Sequence, residues 1–280
     1  MKLPHSRSRR IRLALGAGTV ATVLAFLGAT AVTNAQAAET KAAATTWSGT
    51  FDGFPSSSWK SSWGVVGSGQ FGFDRMDPLT GGGLKVLYGK GSSAPSCTNC
   101  PTAGGAQFYT NLNNLGRSNM ASSNTLSLKY QLKFPAGHDF GKGGKLPGLY
   151  GGSPGEAAGG NHGNAWSTRF MFRNGNQGEI YFYSPDGTGY GKDLGLGRWS
   201  YPADDKYHTI EQFVQRDEQA TTVWFDGEQV FSTSTEGISG INFSGIFFST
   251  FYGGHSTEWR PKKTSYIWFE GFSLSTAVQH

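Results

Sequence analysis

Apolar and polar residues alternate over many short stretches of this chain, a pattern that predicts β-strands. The clearest stretch is 125–135, TLSLKYQLKFP, in which every second residue from Leu126 to Phe134 is apolar and the residues between them are Ser, Lys or Gln. A helix would spread these apolar side chains around its circumference, whereas a strand places them on one face. We therefore expect a half-buried strand here.

Further strand-like stretches follow one another along the chain, with turn signals between them. They are 47–54, 59–66, 83–88, 105–110, 166–173, 179–184, 207–216, 221–231, 241–252 and 265–274. The pair Asp226-Gly227 is a strong hairpin turn, and 241–252 is almost continuously apolar, as a fully buried strand would be. Many short strands, 42 glycines and little helix predict an all-β fold: a jelly-roll β-sandwich of two antiparallel sheets in a single domain.

The segment 142–183 contains a hairpin candidate, because two alternating runs flank the turn-forming residues 174–178, NGNQG. Alternation sorts the side chains of both runs onto two faces. One face carries Ser167, Arg169, Met171, Arg173, Tyr181 and Tyr183, and the other carries Trp166, Phe170, Phe172, Ile180 and Phe182. If the apolar set faces the core, Ser167, Arg169 and the two tyrosines share an exposed sheet face, and the neighbouring segment 142–152 brings Lys145 to them.

Residues 1–37 are predicted to be a secretory signal peptide. They combine a basic start, an apolar stretch from Leu13 to Val32 and the small residues of an Ala35-Gln36-Ala37 cleavage site. A single membrane anchor is the alternative, but glycines and threonines interrupt the apolar stretch. We expect a secreted protein with a short linker at 38–46, one β domain at 47–276 and no membrane association after cleavage.

The charge balance changes once this segment is set aside. It holds five of the 24 Lys and Arg residues and none of the 19 Asp and Glu residues, so the rest of the chain carries 19 of each sign. The sequence pI of about 9.1 is therefore mostly a property of the signal, and we expect no nucleic-acid partner. Any attraction for an anion must come from a local cluster. We expect a monomer.

The two cysteines, Cys97 and Cys100, are expected to form a small local disulfide, because the compartment is oxidising. A single CxxC cannot supply four zinc ligands. A redox role would need a βαβ context, but the sequence around these cysteines is typical of a loop. The histidines are scattered and there is no Asp-rich calcium loop. No metal site and no cofactor are expected.

The cluster of Lys145, Arg169, Tyr181 and Tyr183 suits a substrate that is anionic and extended, such as a uronic-acid polysaccharide. Arginine presents a planar fork of donors that matches a carboxylate. A lyase must also stabilise the enolate-like charge that develops on that carboxylate, remove the C5 proton and protonate the leaving oxygen at C4. Tyrosine could carry a proton if neighbouring cations lower its pKa. Taken singly, these residues are more often packing or solvated side chains.

The chain resembles polysaccharide lyase family 14, which contains alginate lyases and glucuronic-acid-polymer lyases. The resemblance is carried by KGGKLPGLYGG at 142–152, WSTRFMFR at 166–173, EIYFYS at 179–184, VWFDGEQVF at 223–231 and FFSTFYGGHSTEW at 247–259. It implies a β-jelly-roll fold, cleavage by β-elimination and an active-site set made of Lys145, Ser167, Arg169, Tyr181 and Tyr183. We assign Arg169 and Lys145 to the negative charge, one tyrosine to proton transfer and Ser167 to orientation. Lys145 could instead be the base if burial among cations lowered its pKa.

Other residues are substrate-binding candidates through their position alone. Gln107 and Arg173 could line the groove, and His255 lies in a glycine-flanked turn. His162 is a weaker candidate in the glycine-rich loop 151–165, which could be a mobile flap over the groove.

Two other classes of protein compete with the lyase. A non-catalytic carbohydrate-binding module needs no Lys/Arg/Tyr cluster, and it usually accompanies an enzyme on the same chain. A glycoside hydrolase needs two carboxyl groups roughly 5 to 9 Å apart, whereas Glu179, Glu211 and Glu270 are solitary in the sequence. The expected partner is an anionic polysaccharide, and the sequence does not distinguish alginate from glucuronan.

Overall fold

The computed structural model describes residues 44–101, 104–159, 163–187 and 189–280. The predicted signal peptide at 1–37, most of the linker and His162 lie outside these ranges. The strands of the described part belong to one compact unit, assigned to Ala43–His280. No helix in the described ranges has the length and apolar character that a bilayer crossing requires.

Strands dominate the described residues. In chain order the elements are β1 (Thr46–Gly49), α1 (Ser57–Ser62), β2 (Met76–Pro78), β3 (Leu84–Tyr88), β4 (Ala106–Tyr109), α2 (Ser118–Ala121), β5 (Thr125–Lys133), β6 (Gly143–Gly151), β7 (Trp166–Arg173), β8 (Gly178–Tyr183), β9 (Lys192–Leu194), β10 (His208–Gln215), β11 (Ala220–Phe225), β12 (Glu228–Ser234), β13 (Phe243–Tyr252) and β14 (Ser265–Ser275). Short 3-10 turns occupy Phe73–Arg75, Asn174–Asn176 and Thr257–Trp259.

Within the described residues the strands form two antiparallel sheets, and the predicted all-β sandwich is confirmed. The eight-stranded sheet has the order β12-β11-β10-β5-β14-β3-β2, with β1 also paired to β14. The six-stranded sheet has the order β4-β13-β6-β7-β8-β9. Strands that are neighbours in a sheet are often distant in sequence. Residues from five separate segments, namely β4, β6, the β7–β8 hairpin, β9 and β13, can therefore meet on one face of the six-stranded sheet.

The core lies between the two sheets and is rich in aromatic rings. Leu126, Leu128, Tyr130, Leu132 and Phe134 are all buried, as the alternation in β5 predicts. From the six-stranded sheet, Phe108 of β4 stacks on Phe248 of β13 with ring centroids 4.6 Å apart. Such pairs add to the free energy gained by burying the rings themselves.

The prediction of a strand at 59–66 is wrong. Helix α1 occupies Ser57–Ser62, and the Ser56 hydroxyl caps it by accepting a hydrogen bond from the Trp59 backbone N–H at 3.2 Å. Trp59 and Trp63 are four residues apart and both are buried, because that spacing places two side chains on one face of a helical turn. Aromatic content suggested a strand, but the cap and the spacing favour the helix.

The hairpin predicted from 166–184 is present as β7 and β8, with Ser167 opposite Tyr183 and Arg169 opposite Tyr181. Strand β6 lies beside β7, and every one of its residues is buried. Glycine is needed there because neighbouring atoms come very close: a Cβ at position 148 would lie 2.3 Å from the Thr168 carbonyl oxygen. The pairing of β6 with β7 shifts register between Lys145 and Gly148, next to the lysine that the sequence analysis singled out.

Candidate active site

The outer face of the six-stranded sheet carries a cavity of about 800 Å³. Side chains from β4, β6, β7, β8, β9 and β13 form its floor. Those with polar or aromatic side chains are Gln107, Tyr109, Lys145, Arg169, Arg173, Tyr181, Tyr183, Asp193 and Phe251, and Met171 adds a thioether. Tyr190, His255 and Trp259 contribute from loops. The loop after β6 lines part of the cavity with Pro154, Gly155, Ala158 and Gly159.

Strand register explains why these residues meet. Arg169 pairs with Gly148 on one side and with Tyr181 on the other, so three strands place their residues in one row. Lys145 pairs with Met171 of β7 and with Phe251 of β13. Side chains directly opposite one another in antiparallel strands point to the same face. The predicted grouping of Lys145, Arg169, Tyr181 and Tyr183 around one cavity is therefore present in the structure.

The Lys145 amine is almost enclosed, with the residue 9 % exposed. Its Nζ donates to the Met171 Sδ at 2.7 Å and lies 3.2 Å from the centroid of the Tyr181 ring. No salt bridge joins it to a carboxylate within the described residues. Burial, followed by repulsion from Arg169 and Arg173, holds the pKa of Lys145 well below its ordinary value, while Glu179 and Asp193 oppose that change. The neutral form of the Lys145 amine is therefore populated at a lower pH than in a free lysine.

Arg169 is the most buried cation of the site, at 2 % exposure. One Nη donates to the Ser249 hydroxyl at 3.1 Å, and the guanidinium carbon lies 4.2 Å from the centroid of the Phe247 ring and 5.5 Å from that of Tyr183. Its Nε has no hydrogen-bond partner in the part of the chain that the structure describes. Burial lowers the pKa of Arg169, but a guanidinium stays protonated in proteins. Ring contacts and one hydrogen bond thus hold the Arg169 guanidinium in place, and its Nε is still available to donate a hydrogen bond to a ligand.

The tyrosines differ from expectation in burial and in pKa. Tyr183 is buried, although the sequence predicted an exposed face for it. Their rings meet edge to face at 5.5 Å, but the neighbouring cations do not lower the pKa of Tyr181. Burial raises it, and Tyr183 and Asp193 add to that effect more than Arg173 opposes it. A phenolate at this position is therefore disfavoured. A neutral hydroxyl that can donate a proton is favoured instead.

Ser167 lies beside the cavity and does not line it. It is fully buried, which differs from the exposed face predicted for it, and its hydroxyl donates to the Ala157 carbonyl oxygen at 2.9 Å. Ala157 belongs to the loop that follows β6, and it packs with Ala165 against Tyr183. The backbone N–H of Gly155 in the same loop donates to the Tyr109 hydroxyl at 3.2 Å. The structure thus places Ser167 under the loop as an anchor.

The three predicted substrate-binding residues all line the cavity. Gln107 uses its amide N–H to bond the Gly69 carbonyl oxygen at 2.9 Å. Arg173 is already paired, with Nε 2.6 Å from Glu179 Oε1 and Nη2 2.6 Å from Asp193 Oδ1. His255 lies at the rim, 2.9 Å from the Ser96 hydroxyl through Nε2. Arg173 therefore has less capacity for a substrate carboxylate than Arg169.

Several residues that line the cavity or lie directly beside it were not proposed as site residues from the sequence. Met171 and Glu179 lie on the face that alternation assigns to Arg169 and Tyr181, so strand period alone could have identified them. Ser249 and Tyr109 come from β13 and β4, whose positions beside β6 follow only from the topology. Asp193 sits in the three-residue strand β9, which no periodic pattern marks.

The predicted disulfide between Cys97 and Cys100 is formed. Its loop lies at the cavity rim, because Ala94, Pro95 and Ser96 line the cavity and Ser96 contacts His255. Over the described ranges, no group of three or more His, Cys, Asp or Glu residues is arranged to hold a metal ion.

The chain is similar to known proteins in both sequence and structure. A sequence model of the family described as Polysaccharide lyase 14 matches residues 79–272. Among solved structures, the PL-14 alginate lyase of Aplysia kurodai is similar over 83 % of this chain and 98 % of its own, with 25 % identity and a TM-score of 0.67. The alginate lyase Aly36B covers 84 % of this chain and 98 % of its own at 19 % identity, with a TM-score of 0.59.

A third similar structure is the alginate lyase vAL-1 from Chlorella virus, at 20 % identity and a TM-score of 0.58, which covers 72 % of this chain and 89 % of its own. At these lower identities the likeness extends to the fold alone. No protein with a curated description matches the sequence.

Proposed function

The chain belongs to polysaccharide lyase family 14 and is a polysaccharide lyase, and from this premise we propose that it cleaves a 1,4-linked polyuronate, alginate or glucuronan, by β-elimination. The three similar structures described above are alginate lyases, and variants of one of them, Aly36B, are known in complex with an alginate trisaccharide and an alginate tetrasaccharide. This makes alginate the first substrate to test. We also propose that the protein acts outside the cell, on the strength of the signal-like sequence at 1–37.

One observation supports the proposal most strongly. Arg169 is a buried cation in the cavity floor, and it forms no salt bridge with a carboxylate in the described part of the chain. Buried cationic groups without a counter-charge are costly. A substrate that brings its own carboxylate offsets that cost at the position where the reaction needs positive charge.

The residues can be given roles in the elimination. Arg169 binds the carboxylate and stabilises the negative charge that develops on it in the transition state. Lys145 as the neutral amine removes the C5 proton, a role that its lowered pKa favours over that of a fixed charge. The electron pair of the C5–H bond forms the C4=C5 double bond, and the bond from C4 to the glycosidic oxygen breaks.

The departing oxygen takes its proton from a tyrosine. Tyr181 and Tyr183 both line the cavity beside Lys145 and Arg169, and the raised pKa of Tyr181 keeps its hydroxyl protonated before the reaction. The proton gained by the amine then returns to the tyrosine, so no water is consumed. Replacement of each tyrosine by phenylalanine identifies the donor, since only one of the two variants should lose most of its turnover.

A hydrolase mechanism is less compatible with the site. Asp193 is the only carboxylate among the described cavity-lining residues, and Glu179 is the other carboxylate that acts on the pKa of Lys145. Both bind the same guanidinium of Arg173. Glu179 is completely buried and does not line the cavity, so it cannot reach a glycosidic bond. A general acid and base on either side of that bond are therefore lacking in the described residues.

Purified protein incubated with alginate, glucuronan and a neutral glucan tests the proposal. The new double bond is conjugated to the carboxylate, so ultraviolet absorbance should increase with a polyuronate and not with the glucan. Reducing ends that accumulate without this absorbance would indicate a hydrolase, and binding with neither signal would indicate a carbohydrate-binding module.

A further inference from the structure

Glu179 lies beneath the cavity floor in line with the proposed base. It is opposite Met171 in the pairing of β7 with β8, and Met171 is opposite Lys145 in the pairing of β6 with β7. The three side chains therefore form one row across three strands on the same face. Glu179 is 0 % exposed, which is rare for a glutamate unless the group is paired.

The pairing of Glu179 is incomplete. Its Oε1 accepts a hydrogen bond from Arg173 Nε at 2.6 Å, while its Oε2 is buried without a hydrogen-bond partner among the described residues. Arg173 in turn lies over two cavity rings, with its guanidinium carbon 5.8 Å from the centroid of Tyr181 and 5.6 Å from that of Trp259. Glu179 therefore holds an arginine that packs against the same tyrosine ring as Lys145.

Charged side chains from β6, β7 and β9 act on Glu179. Arg173 faces it from β7, Lys145 from β6 and Asp193 from β9, and Tyr201 lies close enough for Glu179 to raise the pKa of its hydroxyl. Burial raises the pKa of Glu179 to about 7, with Arg173 and Lys145 opposing that change. In the other direction, the negative charge of Glu179 raises the pKa of Lys145 against the effect of burial and of the two arginines.

We propose that Glu179 is a positioning residue for the elimination, which fixes Arg173 against Tyr181 and sets the basicity of Lys145 through its charge. The inference rests on the proposed function, because it assumes that the Lys145 amine is the base. A base that is too weak transfers a proton slowly, and one that is too strong is protonated at the working pH. Glu179 counteracts the two arginines and brings the amine between these limits.

The alternative is that Glu179 only stabilises the fold. Glu211 provides a matched control for that role. It is also a buried glutamate with one carboxylate oxygen unpartnered in the described part of the chain, and its Oε1 accepts from Ser127 at 2.6 Å in the opposite sheet. Loss of a buried carboxylate costs stability in both places, whereas only Glu179 faces Lys145.

The test compares pH profiles of kcat and kcat/KM for wild type, Glu179→Gln and Glu211→Gln. Glu179 carries its negative charge above its pKa of about 7. Without that charge the pKa of Lys145 should fall, so the acidic limb of kcat/KM should move to lower pH by about one unit. The maximal kcat should fall about tenfold because the amine is a weaker base, with a smaller change in KM. Glu211→Gln should keep the wild-type profile.

Two further variants keep the test decisive if Glu179→Gln folds poorly. In Glu179→Asp the acidic limb of kcat/KM should lie close to its wild-type pH, because this variant keeps the charge. Asp193→Asn, at a residue whose side chain is half exposed, should move the limb in the same direction by a smaller amount.

An unchanged acidic limb in Glu179→Gln, or in Asp193→Asn if the first variant cannot be purified, would overturn the inference. Failure of the wild-type enzyme to form any unsaturated product is a separate result, and it would instead overturn the proposed function.

Discussion

At the scale of single residues, the site is defined by a buried arginine, Arg169, that the described part of the protein leaves without an acidic partner. Arg173 is paired with Glu179 and Asp193, whereas Arg169 is held by Ser249 and by the Phe247 ring. Two arginines on one strand therefore have different roles. Arg173 links β7 to β8 and β9 through its two ion pairs, and Arg169 is available to bind a substrate carboxylate.

Replacement of Arg169 by alanine should lower kcat/KM on a polyuronate by about two to three orders of magnitude, because the developing charge loses its main donor. Arg169→Lys should recover only part of this loss, since an ammonium keeps the charge without the planar fork. Steady-state kinetics by ultraviolet absorbance measure both effects. Normal turnover in Arg169→Ala would refute the role given to this residue.

Lys145→Arg distinguishes a base from a fixed positive charge. The lowered pKa of Lys145 means that activity should rise with pH through that pKa and reach its plateau well below the ordinary range of lysine. Arginine cannot supply a neutral amine, so both Lys145→Arg and Lys145→Ala should lose about two to four orders of magnitude in kcat. Substantial turnover in Lys145→Arg alone would show that the residue acts as a cation.

Sequence reasoning could place the site residues but could not describe their environment. Alternation in β7 and β8 was sufficient to put Arg169, Tyr181 and Tyr183 on one face, because a strand has a fixed period of two. The depth of burial depends on the loop after β6 and on β13, which are distant in sequence. For that reason the direction of the Tyr181 pKa shift and the enclosure of Ser167 were not foreseen.

At the scale of elements, the loop between β6 and β7 forms part of the cavity wall, through Pro154, Gly155, Ala158 and Gly159. Two hydrogen bonds tie it to the sheet, from Ser167 to the Ala157 carbonyl and from the Gly155 N–H to Tyr109. Strand β7 thus places Arg169 in the cavity floor and uses Ser167 to anchor the loop that forms the wall. The flap suggested by the glycine content of 151–165 is, in its described part, a loop anchored at these points.

Ser167→Ala should weaken the loop without removing a catalytic proton. Loss of one hydrogen bond of about 1 kcal/mol corresponds to about a fivefold effect, which we expect mainly in KM. Kinetics combined with hydrogen exchange of the loop backbone should show a modest KM increase together with faster exchange. A fall in kcat of a hundredfold with unchanged exchange would assign Ser167 to the chemistry.

The elements also show where pattern reading succeeds and where it is wrong. Strand β5 and the β7–β8 hairpin were predictable because their apolar residues alternate strictly and a Gly-containing turn separates the latter pair. The stretch 59–66 was mistaken for a strand because tryptophan is common in strands. Its Ser56 cap and its two buried tryptophans four residues apart were the local evidence for helix.

At the scale of the whole molecule, a buried histidine connects the two sheets. His138 Nε2 lies 3.1 Å from the hydroxyl of Tyr252 in the six-stranded sheet, and its Nδ1 lies 3.1 Å from that of Ser265 in the eight-stranded sheet. Burial, with a smaller effect of Lys263, lowers the pKa of His138 to about 4. The folded protein therefore holds a neutral imidazole between its sheets.

This histidine should make folding stability depend on pH. Its folded pKa lies below its unfolded value, so its contribution is complete above the unfolded pKa of 6.5 and is lost as pH falls towards 4. Between pH 7 and pH 5 the loss should be about 2 kcal/mol. Urea unfolding of wild type and His138→Gln at both pH values measures it.

The difference between the two proteins isolates the histidine, because Glu179 acts in the opposite direction. Its raised pKa means that the folded state takes up a proton first and gains stability as pH falls. Both proteins share that contribution. An equal change in unfolding free energy for wild type and His138→Gln would contradict the account of His138.

The central claim is that this cavity eliminates and does not hydrolyse, and the mass of the products tests it most directly. Elimination consumes no water, so each new non-reducing end should be one water lighter than the matching saturated oligosaccharide. Mass spectrometry of an alginate digest by wild type, with Lys145→Ala as the control, should show these lighter products for wild type only. Saturated products that carry the added water would contradict the claim.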